Sequence, residues 1–152
     1  MLNANLIKIN NIRVEQHLSS DLTPIFGSAD QLQQVFMNII SNAVEAMEAK
    51  KDGTLTIETR QVPGQKSIQV IFRDTGVGIP ENRRQRLFEP FFTTKKNGKG
   101  VGLGLSVAYG IIQEHEGTVQ VASMPGQGTE FTVELPMDHE KGLQKKGGGR
   151  NE

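Results

Sequence analysis

Three polar residues, Asn38, Asn42 and Glu45, are spaced by four and then three residues. On a helix this spacing places them on one face. Asn is a poor interior helix former, and a merely solvated face more often carries Lys, Glu or Arg. Two Asn one turn apart therefore suggest a task for their amide oxygens, such as binding Mg²⁺ beside phosphate groups. Taken alone, the stripe is better explained as a solvated polar face.

A second candidate is Asp74, which ends an apolar segment and begins the sequence DTGVGIP. A buried carboxylate must be hydrogen-bonded, and because it only accepts hydrogen bonds it can read an exocyclic amine. Gly76 and Gly78 would let the backbone pass close to a planar ligand, and Ile79 could pack on that ligand. The alternative is a simple Asp-Gly turn between a strand and a helix.

The third candidate is the segment LFEPFFTTKKNGKGVGLGL, which combines aromatic residues, lysines and alternating glycines. Backbone N–H groups at a helix N-terminus, together with Lys side chains, can form a phosphate site. The GxxxxGK[ST] pattern of a P-loop is absent. The alternatives are packing for Phe88, Phe91 and Phe92, and a solvated loop face for Lys95 and Lys96.

These candidates need an α+β framework. An i, i+3, i+4, i+7 apolar pattern predicts a helix over 29–49, with Ser28 and Gln31 as a capping box. Shorter helices are predicted over 81–88 and 101–115, and strands over 12–18, 54–61, 67–73, 118–123 and 129–135. The glycines of PGQG are explained as a hairpin turn. We expect a two-layer sandwich, with a mixed, mostly antiparallel sheet and three helices on one of its faces.

Composition narrows the class of protein. The chain has 152 residues, no cysteine, and 17 basic against 17 acidic residues. We expect one domain over 1–139 and a disordered polar tail over 140–152. Zero net charge argues against nucleic-acid binding and against direct contact with an anionic membrane. The absence of cysteine excludes disulfides and thiolate catalysis. Neither a membrane-spanning segment nor a signal peptide is found.

Taken in order, these motifs resemble the catalytic, ATP-binding domain of sensor histidine kinases, in the superfamily shared with gyrase, MutL and the large heat-shock ATPase chaperones. QVFMNIISNAVEAM resembles the N box, DTGVGIP the G1 box, LFEPFF the F box and GKGVGLGLSV the G2 box. GQGTEFTVELP is similar to the closing strand of that family. The resemblance covers roughly residues 12–136 and implies the Bergerat ATP-binding fold.

The resemblance also implies roles for single residues. Asn42 would bind Mg²⁺, with Glu45 beside it, and Asn38 would support the metal and phosphate site; Asn38, Asn42 and Lys95 are the implied catalytic residues. Asp74 would bind the adenine amine near Thr129, in a pocket shaped by Gly76, Gly78 and Ile79. Residues 89–100 would form an ATP lid that contains Phe91, Lys95 and Lys96. The phosphate end would be lined by Gly100, Val101, Gly102, Leu103 and Gly104.

The chain departs from the kinase pattern in its histidines. None of the three is followed by the full pattern of an acidic residue and then basic and Pro residues that is typical of a phosphoacceptor His: His17 precedes Leu18-Ser19, His115 precedes Glu116-Gly117 at the end of the last predicted helix, and His139 lies near the tail. We therefore expect a catalytic domain that transfers the γ-phosphoryl group of Mg²⁺–ATP to a histidine on a separate dimerisation domain, with a response regulator downstream. The expected domain is cytoplasmic and monomeric when isolated, and its parent protein can be membrane-anchored.

Three alternatives stay open. A gyrase- or MutL-type ATPase clamp and an anti-sigma-type serine kinase both carry a Glu general base at the position of Asn38, which cannot accept a proton from water. The third alternative is a non-catalytic nucleotide-binding module, which ATP binding followed by a phosphotransfer assay would distinguish.

Overall fold

The computed structural model of the protein describes residues 12–19, 22, 25, 27–48, 52–62, 64, 66–84, 86–88 and 104–137. Within them the chain forms five strands and three helices. In chain order these are β1 (Arg13–His17), α1 (Ala29–Ala46), β2 (Thr54–Gln61), β3 (Ser67–Asp74), α2 (Glu81–Arg84), α3 (Gly104–Glu114), β4 (Thr118–Met124) and β5 (Gly128–Pro136). No helix in these ranges is long and apolar enough to cross a membrane.

The sheet has the strand order β1-β2-β3-β5-β4. β1 pairs with β2 in parallel, because the connection between them crosses over through α1. The other three pairings are antiparallel. The expectation of a mixed, mostly antiparallel sheet in an α+β fold is therefore confirmed.

One face of the sheet packs against α1, and α1 in turn contacts α3. The apolar side of α1 is buried as its periodicity predicts, and the ring of Phe36 lies 5.8 Å from that of Phe72 on β3. The buried residues of α1 are Leu32, Val35, Ile39, Ile40 and Ala43. This packing fixes the direction in which the polar side of α1 points.

The other face of the sheet is polar, but it buries one apolar residue that the alternation of β3 does not predict. Ile71 is only 2% exposed, although it lies on the opposite face from Phe72. It occupies the central strand, between Glu58 on β2 and Thr132 on β5. On the same face Arg73 binds Glu58 and Glu130 on the flanking strands, and the hydrogen bond to Glu130 raises the pKa of its guanidinium.

Several element ends differ from the sequence-based prediction. α1 ends at Ala46 and not at residue 49 as predicted. At this end of the helix, the N–H of Val77 donates a hydrogen bond to the Ala46 carbonyl oxygen. A nonlocal partner thus satisfies one of the helix's terminal carbonyls. α2 is confined to Glu81–Arg84, and α3 begins at Gly104, with 101–103 outside the described residues. The predicted tail, 140–152, also lies outside them.

Only one of the two hydrogen bonds of the predicted capping box is present at the start of α1. Ser28 Oγ accepts a hydrogen bond from Gln31 N at 3.2 Å, as predicted. The reciprocal partner is not Gln31, because the N–H of Ser28 donates instead to Nε2 of His115, at 3.0 Å. The Nδ1 of that ring lies 2.9 Å from the Ile111 carbonyl oxygen, so the neutral ring carries its proton on Nδ1. His115 therefore joins the end of α3 to the start of α1.

Candidate functional site

Two buried polar side chains face each other where β3 ends and β5 begins. Asp74 and Thr129 are register partners, 6% and 5% exposed respectively. Side chains opposite each other in an antiparallel pair have Cβ atoms about 5 Å apart. Asp74 Oδ1 accepts a hydrogen bond from Gly76 N at 2.8 Å, which uses one part of the carboxylate's acceptor capacity. Both residues lie on the helix-covered face of the sheet.

Glycines allow the loop after β3 to lie close to neighbouring backbone. A Cβ on Gly76 would lie 2.5 Å from the Ala46 carbonyl oxygen at the end of α1. Gly128, at a φ of +93°, leaves no space for a Cβ beside the Asp74 carbonyl oxygen. Gly78 also has a positive φ, of 76°. The PGQG turn is therefore more than a hairpin connection, since Gly128 lets β5 approach the backbone of Asp74.

Ser123, which the sequence analysis did not select, joins three parts of this region. Its Oγ accepts a hydrogen bond from Ile79 N at 2.7 Å and donates to the Gly128 carbonyl oxygen at 3.0 Å. It also lies 2.9 Å from Thr129 Oγ1. The sequence offers one signal for it, a polar residue on the strand face that carries Val119 and Val121, whereas its register with Thr129 comes from the pairing of β4 with β5.

The polar stripe of α1 faces the start of α3. Asn38 Nδ2 donates to the Gly104 carbonyl oxygen at 2.9 Å, so this amide orients the first residue of α3. Asn42 is half-buried one turn further along, and within the described residues its amide has no hydrogen-bond partner. Glu45 lies on the same side and is also half-buried.

The region around Asp74 and the polar stripe of α1 are joined at Ala46. This residue lies one turn after Asn42, and its carbonyl oxygen accepts the N–H of Val77 in the loop that follows Asp74. The site thus has hydrogen-bond acceptors at one end and amide groups at the other. The acceptor end suits a ligand that donates from an amine, and amide oxygens suit a hard cation beside phosphate.

Nine of the residues selected from the sequence lie within the described ranges, on the Asp74 side or on the α1 side of the site. They are Asn38, Asn42, Glu45, Asp74, Gly76, Gly78, Ile79, Gly104 and Thr129. The other selected residues lie outside the described ranges: Phe91, Lys95, Lys96, Gly100, Val101, Gly102 and Leu103. The expected lid and most of the expected phosphate end therefore stay predictions.

Known proteins similar to this chain point to one class. Residues 27–139 match the family of histidine kinase-, DNA gyrase B-, and HSP90-like ATPases. The chain is 40% identical over 137 residues to sporulation kinase E of Bacillus subtilis (strain 168), covering 90% of this chain but only 18% of that protein.

Solved structures agree with this result. The catalytic domain of histidine kinase ThkA superposes with a TM-score of 0.74 at 28% identity, covering 88% of this chain and 84% of that one. ThkA has also been solved in complex with the response regulator TrrA. Full-length ShkA in complex with AMPPNP has a TM-score of 0.76 at 29% identity, covering 88% of this chain and 27% of that one.

Proposed function

Because this chain belongs to the family of histidine kinase-, DNA gyrase B-, and HSP90-like ATPases, we propose that it is the ATP-binding catalytic domain of a two-component sensor histidine kinase. Its reaction is transfer of the γ-phosphoryl group of ATP to a histidine on a separate dimerisation domain. The phosphoryl group then passes to a response regulator, as the complex of the similar kinase ThkA with TrrA suggests. In this proposal the domain is cytoplasmic, and monomeric when isolated.

The observation that carries this proposal is the burial of Asp74 opposite Thr129. The carboxylate of Asp74 is 6% exposed and already accepts the N–H of Gly76 at Oδ1. Because a carboxylate has several acceptor sites, it can also accept a hydrogen bond from the exocyclic amine of adenine. Gly76 and Gly78 shape the loop beside it, and Ile79, which is 7% exposed, offers an apolar side chain for the base. This end of the site would therefore hold adenine.

The polar stripe of α1 would serve the phosphate end. The residues fit Mg²⁺, because Asn42 offers an amide oxygen without competing hydrogen bonds among the described residues, and Glu45 offers a carboxylate nearby. When bound, the ion supplies positive charge that neutralises the phosphates. Lys95 and Lys96, with the glycines of 100–104, would add to that charge balance and donate backbone hydrogen bonds. Catalysis would consist mainly of positioning and electrostatic stabilisation.

The phosphoacceptor would come from another domain. His17 lies on the exposed edge strand β1, and both ring nitrogens of His115 are engaged in contacts within this chain. His139 lies outside the described residues. The two hydrogen bonds of His115 indicate that its role is structural.

Asn38 distinguishes this proposal from the clamp ATPase and the anti-sigma-type serine kinase. Its Nδ2 donates to the Gly104 carbonyl oxygen, and an ionised Glu general base could not make that bond. The local geometry therefore suits an amide at this position. This argues against both mechanisms that need a carboxylate general base at this position, whether the base acts on water or on a serine hydroxyl.

Calorimetric titration with Mg²⁺–ATP tests the site. We expect Asp74→Asn and Asn42→Asp each to weaken binding by at least about tenfold, the scale of one lost charged or metal contact. Asp30→Asn is the matched control for Asp74→Asn, because it makes the same chemical change at an exposed position in the first turn of α1. Unchanged affinity in both site variants would refute the assignment.

A second assay tests the reaction. The domain is mixed with a separate dimerisation domain that carries an acceptor histidine, and acid-labile phosphohistidine is measured with labelled ATP. Phosphorylation that requires Asn42 supports the kinase. ATP binding without phosphohistidine, across dimerisation domains from several similar kinases, would favour the non-catalytic nucleotide-binding module.

A further inference from the structure

We propose that Ser123 is a positioning residue that fixes the hydroxyl proton of Thr129 and thereby makes the Asp74–Thr129 pair select a 6-amino purine over a 6-oxo purine. The inference rests on the proposed function and deepens it, because it names a residue that sets base specificity at the same site. Ser123 itself need not touch the nucleotide.

The direction of each hydrogen bond follows from its partners. Ser123 Oγ lies 2.7 Å from Ile79 N, which can only donate, and 3.0 Å from the Gly128 carbonyl oxygen, which can only accept. A hydroxyl has one proton, so Ser123 uses its proton on Gly128. The remaining contact, 2.9 Å to Thr129 Oγ1, must then be donated by Thr129. The proton of Thr129 therefore points toward Ser123.

This arrangement decides what Thr129 can offer to a ligand. With its only proton directed at Ser123, the hydroxyl presents lone pairs, and the neighbouring Asp74 carboxylate is also an acceptor. An exocyclic amine can donate to this pair of acceptors. The 6-oxo group of hypoxanthine or guanine would bring another acceptor to the same place, and Thr129 could donate to it only by giving up its bond to Ser123.

The position of Ser123 makes it suited to this role. It faces Thr129 across the β4–β5 pair, one strand further from Asp74, and it holds the backbone of Ile79 at the same time. The three bonds join β4, the start of β5 and the loop after β3. Because these partners are held by the sheet register, the hydroxyl of Thr129 has a defined direction before any nucleotide binds.

The test compares the affinities of the protein for ATP and ITP, two nucleotides that differ at the purine 6-position. In Ser123→Ala the Thr129 hydroxyl can rotate and donate to a 6-oxo group. We expect the ratio of ATP to ITP affinity to fall by about three- to tenfold, the range for one hydrogen bond. Calorimetric titration of both nucleotides gives this ratio directly. A merely structural effect of the substitution would lower the affinities for ATP and ITP equally and leave the ratio unchanged.

Three further variants sharpen the result. Ser123→Thr keeps the hydroxyl and should retain the wild-type ratio. Ser67→Ala is the matched control, because its hydroxyl bonds to Glu134 on the other face of the sheet, at the far end of β3. It should lower the melting temperature without changing the ratio. Thr129→Val removes the acceptor and should lower the ratio even if Ser123→Ala does not fold.

The double variant Ser123→Ala/Thr129→Val should have the same ratio as Thr129→Val alone, since Ser123 acts through the Thr129 hydroxyl. An unchanged ratio in Ser123→Ala, or in Thr129→Val where Ser123→Ala does not fold, would overturn the inference while leaving ATP binding intact. Failure of the unmodified protein to bind ATP would instead contradict the proposed function. The two failures are therefore distinguishable.

Discussion

A methyl group added at Gly76 tests how closely the loop after β3 must approach α1. The Cβ of Gly76→Ala would lie 2.5 Å from the Ala46 carbonyl oxygen and 2.9 Å from the Ala46 Cβ. An ordinary van der Waals contact needs at least 3.4 Å, so the backbone must separate by about 0.9 Å. The obstacle is the main chain of a helix, which cannot move aside as a flexible side chain can.

The expected cost follows from this separation. The hydrogen bond from Val77 N to the Ala46 carbonyl oxygen, now 3.1 Å, would lengthen or break. Overpacking of this kind costs about 1–3 kcal/mol, which corresponds to a fall in melting temperature of about 3–9 °C for a domain of this size. Since the N–H of Gly76 also donates to Asp74 Oδ1, ATP affinity should fall as well.

The assay is thermal unfolding together with calorimetric titration, compared with Gly110→Ala. Gly110 lies in α3, and a Cβ added there would meet no atom of a neighbouring element within 4 Å, so its replacement should stabilise the helix by about 0.5–1 kcal/mol. The two variants make the same chemical change with opposite expected signs. A Gly76→Ala protein with wild-type melting temperature and ATP affinity would refute the close-approach argument.

Three other perturbations have defined outcomes. Asn38→Asp should speed hydrogen exchange in the first turn of α3 and weaken ATP binding, because a carboxylate cannot donate to Gly104; unchanged exchange would contradict this. His115→Ala should cost about 1–2 kcal/mol in thermal unfolding, since Ser28 N–H loses its acceptor, while phosphotransfer persists; loss of phosphohistidine in a folded variant would contradict the structural role. Arg73→Gln should cost less than about 1 kcal/mol and leave ATP affinity unchanged in titration, because its ion pairs are partly exposed on the opposite face.

The elements were largely predictable because their signals are local. The apolar period of α1 and the alternation in β2 depend on residues close together in the chain, and both elements lie where they were predicted. The ends of elements were harder to place. α1 ends where Val77, about thirty residues away, donates to Ala46, and no pattern within the helix reports such a partner.

In the candidate site, too, local features could be predicted from the sequence and nonlocal contacts could not. Asp74 and the asparagines of α1 could be selected because their residue types are unusual for their local positions. Ser123 and Gly128 could not be assigned their contacts, because each acts through residues brought near by strand register. A serine near a turn has many explanations in the sequence, and only the pairing of β4 with β5 places its hydroxyl beside Thr129.

By itself, the sequence determined which segments form helices and strands, which sides of them are apolar, and which motifs carry chemistry. These properties follow from side-chain type and spacing along a few turns of chain. Only the tertiary structure decided the strand order, the parallel pairing of β1, and the bonds made by Asn38, Ser123 and His115. Those contacts join residues far apart in the chain, so their geometry depends on how all the elements pack around one core.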